Sequence, residues 1–282
     1  MTSAADSPSD AAPQALPSYV RARGAIRARF TAATEGARLA DLYEAGGYRL
    51  RFPRGGETRE AVIVNTGGGV AGGDEVTLDI ALEAGARVLA TTVAAEKIYR
   101  SDGAAARIDV SLDVAAGASL EWAPQETILF DAAALTRRLD ASVAADASLT
   151  MVESVVFGRI AMGERCGPGA LHDRWRVRRA GRLVFAEDLR FDGAIQSLLD
   201  RLAVGAGARA AATLLHVSPQ AETRLEPLRE ALAAEPCECA ASAWDGMVVA
   251  RFVSPLPESL RRAVMAATTA LRGAGPPRLW RS

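Results

Sequence analysis

The sequence predicts a mainly β protein, layered or stacked in the manner of a β-helix or a sandwich, with two helices toward the C-terminus. Three observations carry this reading. Apolar residues alternate with polar ones over Val76, Leu78, Ile80 and Leu82, and again over Ile108, Val110, Leu112 and Val114, which is the period of a strand with one buried face. The turns that follow repeat. Leu82-Glu-Ala-Gly85-Ala-Arg-Val88, Val114-Ala-Ala-Gly117-Ala-Ser-Leu120 and Val143-Ala-Ala-Asp146-Ala-Ser-Leu149 align without gaps, at offsets of 32 and 29 residues. Gly85, Gly117 and Asp146 share one place, where a tight turn calls for positive φ. One unit of strand, turn and strand cannot bury its apolar face alone, so recurrence implies stacking. Helical periodicity comes late, at residues 222–234 and 258–272, the second of these lying between Pro257 and Gly273.

Taken in order, residues 1–17 are Ala, Ser, Pro and Asp without periodicity and read as a disordered tail, leaving 18–282 as one domain ordered from near Tyr19. Ala61-Val-Ile-Val64 has the composition of a strand and leads into a glycine-rich segment. Beyond the repeated turns, strands are expected around 175–177, 182–189 and 247–253. In 282 residues, 49% hydrophobic and 24% charged is ordinary globular composition. With 33 basic against 34 acidic side chains there is no electrostatic footprint for nucleic acid or an anionic membrane. The N-terminus lacks the pattern of a secretory leader, no apolar stretch is long enough to span a bilayer, and Cys166, Cys237 and Cys239 cannot all pair. A cytoplasmic setting is expected. All the basic residues but Lys97 are arginine.

Three features invite chemistry. Gly67, Gly69 and Gly72 fit G-x-G-x-x-G, but the strand pattern over 76–82 follows where a dinucleotide site needs a helix. Asp74 stands where a phosphate-binding loop needs lysine, so the segment reads as a strand connection whose glycines permit close backbone approach. Lys97 is singular in an arginine-rich chain, and a place that rejects a planar guanidinium is one explanation. Glu153 and Glu187 sit inside apolar, strand-like runs; each is either on a wet face or turned inward at a cost that pairing, protonation or a cavity must offset. Cys237-Glu-Cys239 and the isolated His172 and His216 do not complete a tetrahedral metal site, and no nucleophilic triad is evident.

Gly68-Gly-Val-Ala-Gly-Gly-Asp74, Thr92-Val-Ala-Ala-Glu-Lys97-Ile-Tyr-Arg-Ser101, Leu120-Glu-Trp-Ala-Pro-Gln125-Glu-Thr-Ile-Leu-Phe130, Gly158-Arg-Ile-Ala-Met-Gly-Glu164 and the closing Pro277-Arg-Leu-Trp280 resemble, in order and spacing, the UreD family of urease accessory proteins, also called UreH. The resemblance runs from about residue 19 to the end. It implies a non-catalytic nickel metallochaperone scaffold that binds apo-urease and UreF and, through UreF, the GTPase UreG. It also implies a predominantly β layered fold with two late helices, enclosing a water-filled nickel passage. Asp74, Glu153 and Glu187 match acidic positions implicated in that passage. Gly68, Gly69, Gly72, Gly73, Lys97, Tyr99 and Arg100 then fall to structural roles. Nickel would be in transit, with no tightly bound cofactor and no closed metal site, since separated oxygen donors release a divalent ion more readily than a thiolate or imidazole cluster. Cys237 and Cys239 match none of these motifs.

Two other readings remain. A hydrolase acting on carbohydrate would use two of Asp74, Glu153 and Glu187 as acid and base, at carboxyl separations of about 5–5.5 or 6.5–9.5 Å; aromatic content of 5% offers few sugar platforms. A purely structural interaction protein would have no metal path.

Overall fold

The computed structural model describes residues 21–34, 36–54 and 58–281. The tail expected over 1–17 lies outside them. The chain winds between two facing sheets. Strands β1 (Arg23–Ala33) and β2 (Gly36–Ala45) belong to the first sheet, β3 (Tyr48–Arg51) and β4 (Arg59–Asn65) to the second. Then β5 (Glu75–Leu82) returns to the first sheet and β6 (Arg87–Thr92) to the second, followed by the short β7 (Glu96–Ile98). The next coil is β8 (Ala106–Val114), β9 (Ser119–Ala123) and the short β10 (Thr127–Leu129), and the one after is β11 (Ala134–Val143) and β12 (Ser148–Phe157). The first sheet closes with β13 (Pro168–Arg179) and β14 (Arg182–Ala194), the second with β15 (Ala210–Val217), β16 (Glu238–Trp244) and β17 (Met247–Ser254).

Successive coils pair in parallel, so the repeat read in the sequence is a stack in space. Leu82 faces Val114, which faces Val143, and on the other side of the corner Val88, Leu120 and Leu149 form a second buried column. Ala86, Ala118 and Ala147 fill the corners, and Ala115 N–H donates to Leu82 O at 3.0 Å as Ala144 N–H does to Val114 O at 2.9 Å. Gly85 and Gly117 take φ of +72° and +63° as expected, but Asp146 does not enter the left-handed region. A side chain makes that region costly, yet all three corners close with the same bond, Ala86 N–H on Glu83 O at 3.1 Å, Ala118 N–H on Ala115 O at 3.0 Å and Ala147 N–H on Ala144 O at 3.2 Å. Length differences are absorbed at the opposite end. Thr91 faces Ala123, Glu96 faces Thr127 and Ala106 faces Leu135, so the offset between these coils falls from 32 to 31 to 29 residues.

The expected strands all form, with longer bounds; the run at 175–177 lies in the second half of β13 and the run at 182–189 is the first part of β14. The alternation of Ile26, Ala28 and Phe30 in β1 was not singled out in the sequence, and those three side chains are buried. The helix expected at 222–234 is a 3-10 turn, Ala221–Arg224, leading into α2 (Leu225–Leu232), after a short α1 (Ile195–Leu199) that the periodicity does not predict. Helix α3 (Pro257–Arg272) starts on its proline and ends at Gly273, φ +63°. Its Leu260, Ala263, Val264, Ala267 and Leu271 share one buried face. With Leu228 and Leu232 of α2 they cover the outer face of the second sheet against Val248, Ala250 and Leu214.

Candidate functional site

Inward positions of every second residue build the core between the sheets, and in four strands that row carries a charge. Leu149, Met151, Val155 and Phe157 of β12 are core, with Glu153 in the same phase. In β11 the inward row is Leu135, Arg137, Leu139, Ala141 and Val143, and in β13 it is Leu171, Asp173, Trp175 and Val177. In β14 Glu187 falls in phase with Phe185, Leu189 and Phe191. Register brings the charges together, because Arg137 directly faces Asp173 across the parallel β11–β13 pair while β12 presents Glu153 from the opposite sheet.

Arg137, Glu153 and Asp173 are exposed by only 3%, 5% and 5%. Arg137 Nε donates to Asp173 Oδ1 at 3.1 Å and Nη2 to Asp173 Oδ2, while Nη1 donates both to Glu153 Oε2 and to Thr127 Oγ1, the latter at 3.2 Å. Trp122 Nε1–H donates to Glu153 Oε1 at 2.8 Å, and Trp175 Nε1–H to Asp173 Oδ1 at 3.2 Å. Burial pushes the Glu153 carboxyl above the usual carboxylate range; Arg137 pulls it back, and Asp173 raises it further. Burial works against the Arg137 charge, but Asp173 and Glu153 together hold its proton more tightly than usual. Two carboxylates share one guanidinium, in a place where an unpaired charge would cost several kcal/mol.

Glu153 borders two cavities. The larger, about 170 Å³, is also lined by Asp173, Trp175, Glu187 and Arg251. The smaller, about 50 Å³, is lined by Arg137, Trp122, Thr127, Glu96 and Tyr48. Each exceeds the roughly 10–15 Å³ that one water requires, and each sets a few charged and polar groups in a mostly apolar lining. At the larger cavity Glu187 accepts from Thr213 Oγ1 at 3.1 Å and pairs with the half-exposed Arg251 at 2.8 Å. At the smaller, Glu96 accepts from Tyr48 Oη and from Asn65 Nδ2, each at 3.0 Å. Burial raises the Glu96 pKa, against hydrogen bonds from Asn65 and Tyr48 and the charge of Lys97. Burial first, then Glu96, raises Tyr48 as well, with a smaller contribution from Asp74.

The sequence-predicted acids therefore divide. Glu153 and Glu187 line one cavity, whereas Asp74 lines neither of the two. Its carboxylate accepts the N–H groups of Ala22 and Ala71, each at 2.8 Å, and so ties the start of β1 to the glycine loop. The glycine loop packs on the lysine segment: Val70 N–H donates to Lys97 O at 2.8 Å, and Tyr99 Oη to Gly68 O at 2.8 Å. A Cβ on Gly69 would stand 2.8 Å from Lys97 O, and one on Gly72 2.8 Å from Ala104 O, which explains the demand for close approach. Gly68 and Gly73 take positive φ, +77° and +83°. Lys97 and Arg100 are exposed; the backbone of Arg100 bridges to Ala133. Burial and then Cys239 push the Cys237 thiol up to about 11, so it stays protonated. Among the described residues no three His, Cys, Asp or Glu side chains are grouped as a metal ion would need, and no helix is long and apolar enough to cross a membrane.

The sequence reading missed Arg137, Asp173 and Glu96. The signal for the first two was phase: each takes an inward place in a row of Leu, Val and Trp. Glu96 opens the three-residue strand β7, too short for an alternating row to mark it as inward.

Comparison with known proteins completes the description. The family model for the UreD urease accessory protein matches residues 22–281. A urease accessory protein UreD of Azorhizobium caulinodans is 48% identical over 265 residues, covering 94% of this chain and 98% of the relative. A urease accessory protein UreD 2 of Methylorubrum populi is 49% identical over 278 residues, 96% of this chain and 94% of the relative. Another UreD, from Xanthobacter autotrophicus, is 48% identical over 285 residues and 99% of both chains.

Proposed function

The chain belongs to the UreD family of urease accessory proteins, maturation factors rather than enzymes, and from that premise we propose that it is a nickel-delivery scaffold. It binds apo-urease and UreF in the cytoplasm, with UreG joining through UreF, and nickel crosses it between the two sheets. The observation that carries this reading is Glu153, a buried carboxylate bordering both cavities. The path runs from Glu187 past Glu153 to Glu96, with Asp173 beside Glu153 on the guanidinium that the two share. Oxygen donors of this kind suit Ni²⁺ without holding it as thiolates would, and movement along a path needs sites that bind weakly enough to release. Asp74 supports the end beyond Glu96 by anchoring the glycine loop, and Lys97 offsets part of the buried charge of Glu96.

A hydrolase is disfavoured by the same geometry. Glu153 is enclosed by Arg137 and Trp122, and Glu187 is held by Arg251 and Thr213, so neither stands free in an open cleft. The test is the nickel content of urease from a host expressing its full urease cluster, with this gene intact, deleted or carrying Glu153→Gln. Deletion is expected to leave urease nickel-poor and inactive. Glu153→Gln is expected to leave the accessory complex assembled while nickel in urease falls. Full metallation in both would defeat the proposal.

A further inference from the structure

Arg137 occupies the place where a cation in transit would have to pass. It lines the smaller cavity with Glu153, while Glu153 and Asp173 line the larger, so the guanidinium stands between the two spaces. Its contacts are unequal. Nε and Nη2 grip both oxygens of Asp173, a bidentate hold that fixes the plane of the group. Only Nη1 reaches Glu153, and the same nitrogen already has Thr127 Oγ1 within 3.2 Å as a second acceptor. Glu153 can lose Arg137 and remain in place, because Trp122 holds its other oxygen at 2.8 Å. One contact, not the whole cluster, separates the closed arrangement from one in which Glu153 is free.

We propose that Arg137 is the exchange gate of the passage: its guanidinium holds Glu153 while no cation is present, yields that carboxylate to an arriving divalent cation, and reclaims it as the cation moves on. The inference rests on the passage reading above. Two buried carboxylates without a competitor would be a trap for a divalent ion, since hard oxygen donors gain strength where water is scarce. A resident cation on a short tether lowers that affinity and keeps the seam paired when it is empty. Asp173 is then a positioning residue that anchors the gate, and Thr127 parks the arm that swings.

The test uses the full chain co-purified with its urease partners, equilibrium dialysis against Ni²⁺ alone, and urease activation in the same host at limiting nickel. Arg137→Met is expected to bind Ni²⁺ about tenfold more tightly than the unaltered chain or better, and to activate urease more slowly. Arg137→Met with Asp173→Asn keeps the net charge of the seam and so guards against a folding failure; its affinity should fall between the two. Thr127→Val removes only the alternative acceptor and should slow activation several-fold with no gain in affinity. Affinities equal to that of the unaltered chain in both Arg137 variants overturn the gate, as does activation at the unaltered rate in Thr127→Val. If Arg137→Met does not fold, the double variant and Thr127→Val decide. Glu153→Gln, measured alongside, separates the two proposals. If it delivers nickel normally, the passage itself fails; if it blocks delivery while the Arg137 variants bind no more tightly, only the gate does.

Discussion

The two faces of the second sheet are built from alternate residues of the same strands, yet they treat charge in opposite ways. Its outer face, under α2 and α3, is apolar at the centre: Val152, Val156, Leu214, Val248 and Ala250 meet Leu260, Val264 and Ala267. Its charges, such as Arg272 with Glu121 and Arg261 with Glu126, are partly buried single pairs beside that apolar centre, and exposed pairs such as Arg229 with Glu226 lie beyond it. On the inner face the apolar rows continue to both sides, but Glu153 stands in the middle, where Arg137 and Asp173 of the first sheet meet it. Charge at a rim contributes little and costs little, whereas charge in a core is weak evidence for stability. The outer face is what the fold needs to stand. The inner face spends part of that stability on something else, which is the physical reason to look for function there.

Four measurements bear on this difference between the faces. The largest functional effect is expected at the seam: Glu153→Gln should lower the nickel content of urease by a factor of about ten or more, the size of a tenfold change in affinity, as measured by elemental analysis of purified urease. On the outer face, Leu260→Ala should cost about 2–5 kcal/mol of stability, read from a denaturant midpoint. It should leave nickel per assembled urease unchanged; a loss of nickel there would erase the distinction between the faces. Converting the seam to Arg137→Leu, Glu153→Leu and Asp173→Leu together should be neutral or raise stability by about 1–4 kcal/mol, as replacing buried ion pairs by apolar groups often does. A large loss of stability would mean that the charges hold the fold.

The most gradual effect is a pH slope from His216 on the outer face, where it bonds Thr150 and Ser218. Burial, then the charge of Arg224, depresses its pKa to about 4. The folded chain thus prefers neutral histidine, and the unfolded chain takes up a proton below its ordinary pKa of about 6.5. Stability is fully present above that pH and declines as pH falls toward 4, by at most about 3 kcal/mol. Unfolding midpoints measured across that window should slope accordingly, and His216→Gln should flatten them.

Much of the fold could be read from the chain because strand alternation and the corner repeat are local. Leu82, Val114 and Val143 announced the stack, and Pro257 and Gly273 marked the last helix. The candidate site was half visible. Glu153 and Glu187 stood out as acids in apolar runs, but the sequence offered no way to see that β11 and β13 would set Arg137 opposite Asp173 in exact register. Partnership across sheets is a long-range fact, and it decides whether an inward carboxylate is free, paired or enclosed. Asp74 was read on its resemblance, and its two backbone hydrogen bonds depend on where residue 22 lies, which spacing does not reveal.

The uneven offset between coils bears on how such a chain tolerates change in length over evolutionary time. At the corners of Gly85, Gly117 and Asp146 every residue is fixed by a column on either side, so one inserted residue would turn the next strand over and present its apolar row to water. At the opposite end the offset falls from 32 to 31 in the stretches 92–95 and 124–126, and from 31 to 29 in the stretches 99–105 and 130–134, all between paired strands. Insertions and deletions among relatives should gather in those stretches and avoid the corners. Sequence drift in this protein would then leave the apolar columns in register while remodelling the one edge where successive coils differ in length.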